Sequence, residues 1–266
     1  MVGMNTCSNW KLNVEVFLRL IQRDMRVFLP TLRHRTVNAM LVTVLWVYVF
    51  EYVGFGSVTG FGLFIAAGEC AITGFFEVME NVSRLVADIK GPRSITYALT
   101  LPLPQWMVFA RIAVSNALQA MGIAFMILPT AKVLLWNQFS LVDTSYVKVL
   151  IIFFLAYMFY GFFSLWLASM VKGLESLGNV WSRIIFPLWF LGCYQFTWGG
   201  LAVKSKLFAY VSLLNPLVYC TEGMRAAVIG QDGYLPFWWC CLAIIGFTVF
   251  VGVIGTHRMM RRLDCL

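Results

Sequence analysis

The sequence is poor in charge and in the residues that do chemistry. Only 12% of its 266 residues are charged, and only two are histidines, His34 and His257. Both flank apolar segments, so the His ligand sets of membrane metalloproteases are missing, and no HExxH or GxSxG motif occurs. No Gly-Lys dipeptide is present, which excludes a GxxxxGK[ST] loop for cradling nucleotide phosphates. The acidic residues form no DxxD-like cluster. The seven cysteines lack CxxC spacing and fall mostly in apolar stretches, so they read as free thiols packed as small hydrophobes. Neither a catalytic residue nor a metal site is expected, and any ATP-driven work needs a second chain.

Apolar residues make up 61% of the chain, and the mean hydropathy of +0.80 is far above that of a soluble domain. A bilayer core about 30 Å thick takes about 20 apolar residues per helix. Segments of that kind run over about 36–55, 58–82, 105–128, 146–170, 183–203 and 237–255, with Pro187 expected to kink the fifth. The expected fold is therefore an all-α membrane protein, one domain over 1–266 with six transmembrane helices.

Residues 1–35 carry too many charges for a signal-peptide core, so the first span is expected to serve as its own insertion signal. Within them, Trp10, Val14, Phe17, Ile21, Met25 and Phe28 recur every three or four residues, opposite Lys11, Glu15, Arg19, Gln22, Arg23 and Arg26. That pattern predicts an amphipathic helix lying at the membrane interface or packed on a soluble partner.

The net charge of +8 raises the possibility of nucleic acid, but the cations sit beside apolar spans and serve better as a topology signal. With the amino terminus inside, the outer side keeps only Lys132, Lys148, Lys204, Lys206 and Arg225. The positive-inside rule then places both termini in the cytoplasm, with no nucleic-acid partner. An apolar run at 207–229 is interrupted by Asn215-Pro216, an N-cap followed by a first-turn proline, so a new helix is expected from Pro216 to just before Gly230. Each piece is too short to cross, which predicts a re-entrant hairpin facing outward.

Glu69, Glu77 and Glu80 share one face of the second span. They read either as a polar wall along a substrate path, or, for Glu77 and Glu80, as headgroup-level carboxylates paired with Arg84 or Arg111. Glu51, near Trp46, Tyr48 and Tyr52, reads as an interfacial anchor. Trp181, Trp189, Tyr194, Phe196 and Trp198 crowd the fifth span, where they can stack on cargo or simply pack. Glu222 and Arg225, three apart, form either a gate pair or a surface ion pair.

The order Leu214-Asn215-Pro216-Leu217, then Glu222 and Arg225, resembles a signature of the permease subunits of type-2 ABC exporters. The stretch from Arg93 to Pro104 is similar to the one that forms their cytoplasmic coupling helix. The resemblance implies a coupling loop at 84–104 whose Asp88, Lys90, Arg93 and Tyr97 dock on a separate nucleotide-binding subunit, with ATP and Mg held by that partner. It also implies a pair of permeases in the bacterial cytoplasmic membrane, surrounded by lipid and moving an amphipathic cargo such as a lipid-linked glycan, lipid or drug. Glu69, Glu77, Trp189, Tyr194 and Trp198 would line the path, and Asn215, Pro216, Glu222 and Arg225 the gate. The competing expectation is an ion-coupled carrier or channel built on Glu69 and Glu77; an enzyme acting on lipid carriers lacks the nucleophile or metal it needs.

Overall fold

A computed structural model describes residues 10–54, 60–91, 94–101, 103–136 and 144–264. The chain is helical, and no strand occurs among the described residues. Four stretches are long and apolar enough to cross a membrane: Phe61–Ile89, Gln105–Leu134, Tyr146–Met170 and Phe237–Leu263.

Helix α1 runs unbroken from Trp10 to Tyr48 and ends in a π-turn, Val49–Gly54. The separate interface helix and first span expected from the sequence are thus one rod, and Pro30 lies inside it. A proline removes one backbone donor, and the helix is tied to its neighbours on both sides of it: Asp24 to Arg111 at 2.7 Å, and Arg35 to Glu77 (2.8 Å) and Glu80. The predicted apolar stripe turns inward except at its first residue: Trp10 is exposed, Phe28 is buried, Val14, Phe17, Ile21 and Met25 are half-buried, and Lys11, Glu15, Arg19, Gln22, Arg23 and Arg26 are exposed. What it covers is the chain's own short helix and the start of the following span, where Ala98, Leu103, Met107 and Val108 pack against Val16, Phe17 and Leu20.

Helix α2 (Phe61–Lys90) extends past the expected end of the second span, so the first turns of the expected 84–104 loop are helical. Glu51 is buried and accepts from the Gly62 N–H at 2.5 Å, satisfying one of the free donors at the start of α2. It is a cap and not an exposed interfacial anchor. Next come α3 (Ser94–Leu99), α4 (Gln105–Ala124), α5 (Ile127–Leu134) and α6 (Tyr146–Met170).

Helix α6 is the central post, packed by α2, α4, α11 (Pro216–Val228) and α12 (Phe237–Asp264). Two glycines permit the approach. A Cβ on Gly161 would stand 2.2 Å from the Ala113 carbonyl oxygen, and one on Gly74 would stand 2.5 Å from the Tyr157 ring. Tyr157 and Tyr160 use that space to donate to the Cys70 and Ala71 carbonyls at 3.0 and 2.8 Å, stapling α6 to α2.

The fifth expected span is not one helix. After a 3-10 turn (Leu174–Ser176) come α7 (Leu177–Val180), a π-turn (Trp181–Ile185) and α8 (Phe186–Phe190), and the helix then stops. That run reaches about 25 Å, short of the about 30 Å hydrocarbon core. Irregular backbone follows to Thr197, then α9 (Trp198–Lys204) and α10 (Lys206–Ser212). The helix expected from Pro216 is present as α11, with the Asn215 side chain accepting from Leu217 N–H at 3.0 Å.

Candidate functional site

The polar centre of the molecule lies where α11 meets α2 and the irregular segment 191–197. Glu222 and Arg225 are both fully buried, so the surface-pair alternative falls; their closest approach is 3.9 Å. An arginine without water needs acceptors for its five N–H groups, and the segment after α8 supplies them. Nη1 donates to the carbonyls of Cys193 at 2.5 Å and Phe196 at 3.4 Å, and Nη2 to that of Tyr194. Nε reaches back to the Phe64 carbonyl of α2 at 3.3 Å, and the guanidinium lies over the Phe64 ring, 3.5 Å from its centroid.

Glu222 does the complementary work with its two oxygens. One accepts from the Trp198 N–H at 3.0 Å, at the head of α9, and the other from the Leu235 N–H at 3.2 Å, just before α12. The neighbouring turn of α11 adds Thr221, whose hydroxyl donates to the Gly192 carbonyl at 2.9 Å. Asn215 Nδ2 donates to the Leu188 carbonyl at 2.6 Å. Asn215 and the side chains of α11 therefore satisfy carbonyls at the end of α8 and along the irregular segment after it, as buried backbone requires. Cys193, at φ 56, is the only non-glycine residue with positive φ among the described residues, a strain of about 1–3 kcal/mol that this grip sustains.

Glu69 belongs to the same cluster. Its carboxylate accepts from the Tyr194 hydroxyl at 2.8 Å and lies 3.5 Å from the Thr73 hydroxyl. Gly68 beside it leaves room for Arg225, since a Cβ there would stand 2.9 Å from Nη2 and 3.2 Å from the Tyr194 ring. Trp46 meets Tyr194 edge-on at 5.7 Å, and Trp189 lies 5.9 Å from the same ring. Trp198 joins this group only through its backbone N–H, held by Glu222; its indole turns to the other side of the segment and donates to the Ala209 carbonyl of α10 at 2.9 Å.

The structure thus joins Glu69, Trp189 and Tyr194 to Asn215, Glu222 and Arg225, which the sequence treats as two sites. Pro216 contributes only the first turn of α11. Glu77 lies apart, about 12 Å further along α2. It and Glu80 pair with Arg35, not with Arg84 or Arg111.

A second polar group occupies the opposite end of the bundle. Asp88 accepts from the backbone N–H groups of Ser94 (3.0 Å) and Ile95 (2.9 Å), pinning the start of α3 to the end of α2. Tyr97 projects from α3 and is 69% exposed. The Lys90 side chain and Arg93 lie outside the described residues. Nearby, Arg111 of α4 binds Asp24 of α1 at 2.7 Å, and Ser115 donates to the same carboxylate at 3.0 Å. Sequence reasoning missed Arg35 and Asp24; the available signal for the second was an acid that falls beside the apolar stripe and off the exposed basic face of the helix.

Among the described residues, no three His, Cys, Asp or Glu side chains converge to hold a metal. The five described cysteines, Cys70, Cys193, Cys220, Cys240 and Cys241, are free and buried. No family model matches the chain. No curated protein matches it either.

Proposed function

We propose that this chain is the transmembrane subunit of an ATP-driven exporter for an amphipathic cargo, working with a separate nucleotide-binding subunit. The observation that carries the reading is α3, a short helix hung between two long helices, braced by Asp88 and flanked by the inward stripe of α1, with Tyr97 free at its surface. A soluble motor bound there would move α2 and α4 as levers, the rigid-body route by which packed helices transmit a local push. The order of Asn215, Pro216, Glu222 and Arg225, with its resemblance to type-2 ABC permeases, supports the same reading.

In this account the apolar half of α1, and the α7–α8 run continued by the irregular segment 191–197, join the four long apolar helices to give six crossings, so both termini lie in the cytoplasm of a bacterial cell. Helices α9 to α11 form the re-entrant outer cap, stitched shut by Arg225 and Glu222, and a second copy completes the path. ATP and Mg belong to the partner. The carrier alternative needs Glu69 and Glu77 on one aqueous route, but Glu69 is bonded to Tyr194 and Glu77 to Arg35.

The test is purification of the tagged chain in mild detergent with whatever accompanies it. The reading expects a P-loop subunit in equal amount and ATPase activity that the chain alone lacks. A chain that comes out alone from several detergents overturns it.

A further inference from the structure

Between α1, α2, α3 and α4 lies a cavity of about 390 Å³ lined by Arg23, Asp24, Arg84, Asp88, Arg111 and Gln119, among others. Its charges do not cancel. Asp24 is already engaged by Arg111, Ser115 and Arg23, and both oxygens of Asp88 are taken by the backbone of α3. Arg84 holds only neutral oxygens, those of Asn81 and Gln119 (3.2 Å from the latter), and no carboxylate lies within ion-pair distance of it among the described residues. Arg111 is 7% exposed, and its Nε is buried with no acceptor.

We infer that this cavity binds a phosphate group, presented either by a membrane phospholipid headgroup or as a free ion. A guanidinium with spare N–H groups matches phosphate oxygens in both shape and charge. The volume is ample for a phosphate or a small phosphoglycerol head. Arg84 is exposed and lines the cavity, and Arg111 lines it from the facing helix as a second cation. Because α1, α2, α3 and α4 all contribute to the wall, an occupant would brace the four against one another. The inference is independent of the exporter reading, since binding by the isolated chain needs no motor subunit.

The experiment uses the purified full chain in neutral detergent, titrated by calorimetry with dioctanoyl phosphatidylglycerol, inorganic phosphate and dioctanoylglycerol. Arg84→Gln removes the surplus cation. Gln119→Glu, nearly isosteric, supplies Arg84 with an internal carboxylate, so it should block binding without loosening the fold. Arg258→Gln, an exposed cation on α12, controls for general attraction to a basic surface.

We expect both cavity variants to weaken binding at least tenfold and Arg258→Gln to leave it unchanged. Binding of the phospholipid alone assigns the site to a headgroup; equal binding of inorganic phosphate, with the same dependence on Arg84 and Gln119, assigns it to the free ion. Absence of binding, equal binding of dioctanoylglycerol, or wild-type affinity in Gln119→Glu overturns the inference.

Discussion

Replacing Arg225 with methionine keeps most of the side-chain volume and removes every donor at the centre of the buried cluster. Four carbonyls, those of Phe64, Cys193, Tyr194 and Phe196, lose their guanidinium partner, and Glu222 is left buried without the cation that stood 3.9 Å away. Stranding one member of a buried charge pair costs about 3–5 kcal/mol, and each unsatisfied carbonyl adds to that, although neighbouring losses do not simply sum. A loss of about 4 kcal/mol corresponds to a fall in Tm of about 10 °C for a chain of this size. The assay is fluorescence-detected size exclusion after heating, in one detergent. Arg225→Lys should recover only part of the loss, because an ammonium has no planar fork with which to hold several carbonyls at once. Adding Glu222→Gln to Arg225→Met should also restore part of it, by removing the stranded charge. A Tm within about 2 °C of wild type for Arg225→Met would refute the reasoning, since the segment 191–197 would then be held by something other than this grip.

Three further outcomes follow from the geometry. Arg35→Ala breaks two partly exposed ion pairs worth at most about 1 kcal/mol each, so Tm should fall by no more than about 5 °C, while trypsin should cut after Arg23, Arg26 and Arg33 severalfold faster; an unchanged rate would mean that the pairs do not hold α1. Gly161→Ala pushes a methyl group into the Ala113 carbonyl, which is backbone and cannot step aside. Its folded yield should drop steeply, at a cost of about 2 kcal/mol or more, and a wild-type yield would contradict the α4–α6 approach. Asp88→Ala frees the start of α3 for about 1 kcal/mol, so amide exchange across Ser94–Leu99 should rise with little change elsewhere; protection equal to wild type would count against Asp88 as the brace.

The elements easiest to read in the sequence were those whose signals are local. The stripe from Val14 to Phe28 predicted which face of α1 is covered, although not that α3 and α4 cover it, because periodicity names a face and not its neighbour. Asn215 and Pro216 announced the start of α11 because both act within one turn. The break after Phe190 was hard to read, since residues 184–194 carry no charge or strong turn signal beyond Gly192, and the carbonyls it opens are met by Asn215, Thr221 and Arg225, far away in sequence. Arg225 was misread for the same reason. Its i,i+3 neighbour Glu222 suggested an ordinary pair, whereas its principal partners are backbone oxygens far away in sequence. Likewise, sequence spacing pointed Glu77 and Glu80 to Arg84 or Arg111, but the antiparallel packing of α1 on α2 brings Arg35 to them first.

The central claim is that α3 is where a soluble motor takes hold, and site-directed photo-crosslinking tests it most directly. A photoreactive residue in place of Tyr97, with the same group at Leu150 on an exposed apolar face as control, is irradiated in membranes from the native host. The account predicts an adduct between position 97 and a soluble ATPase subunit, strengthened or weakened by nucleotide, and only lipid adducts at position 150. Lipid adducts alone at position 97, in a chain that is folded and inserted, would contradict it.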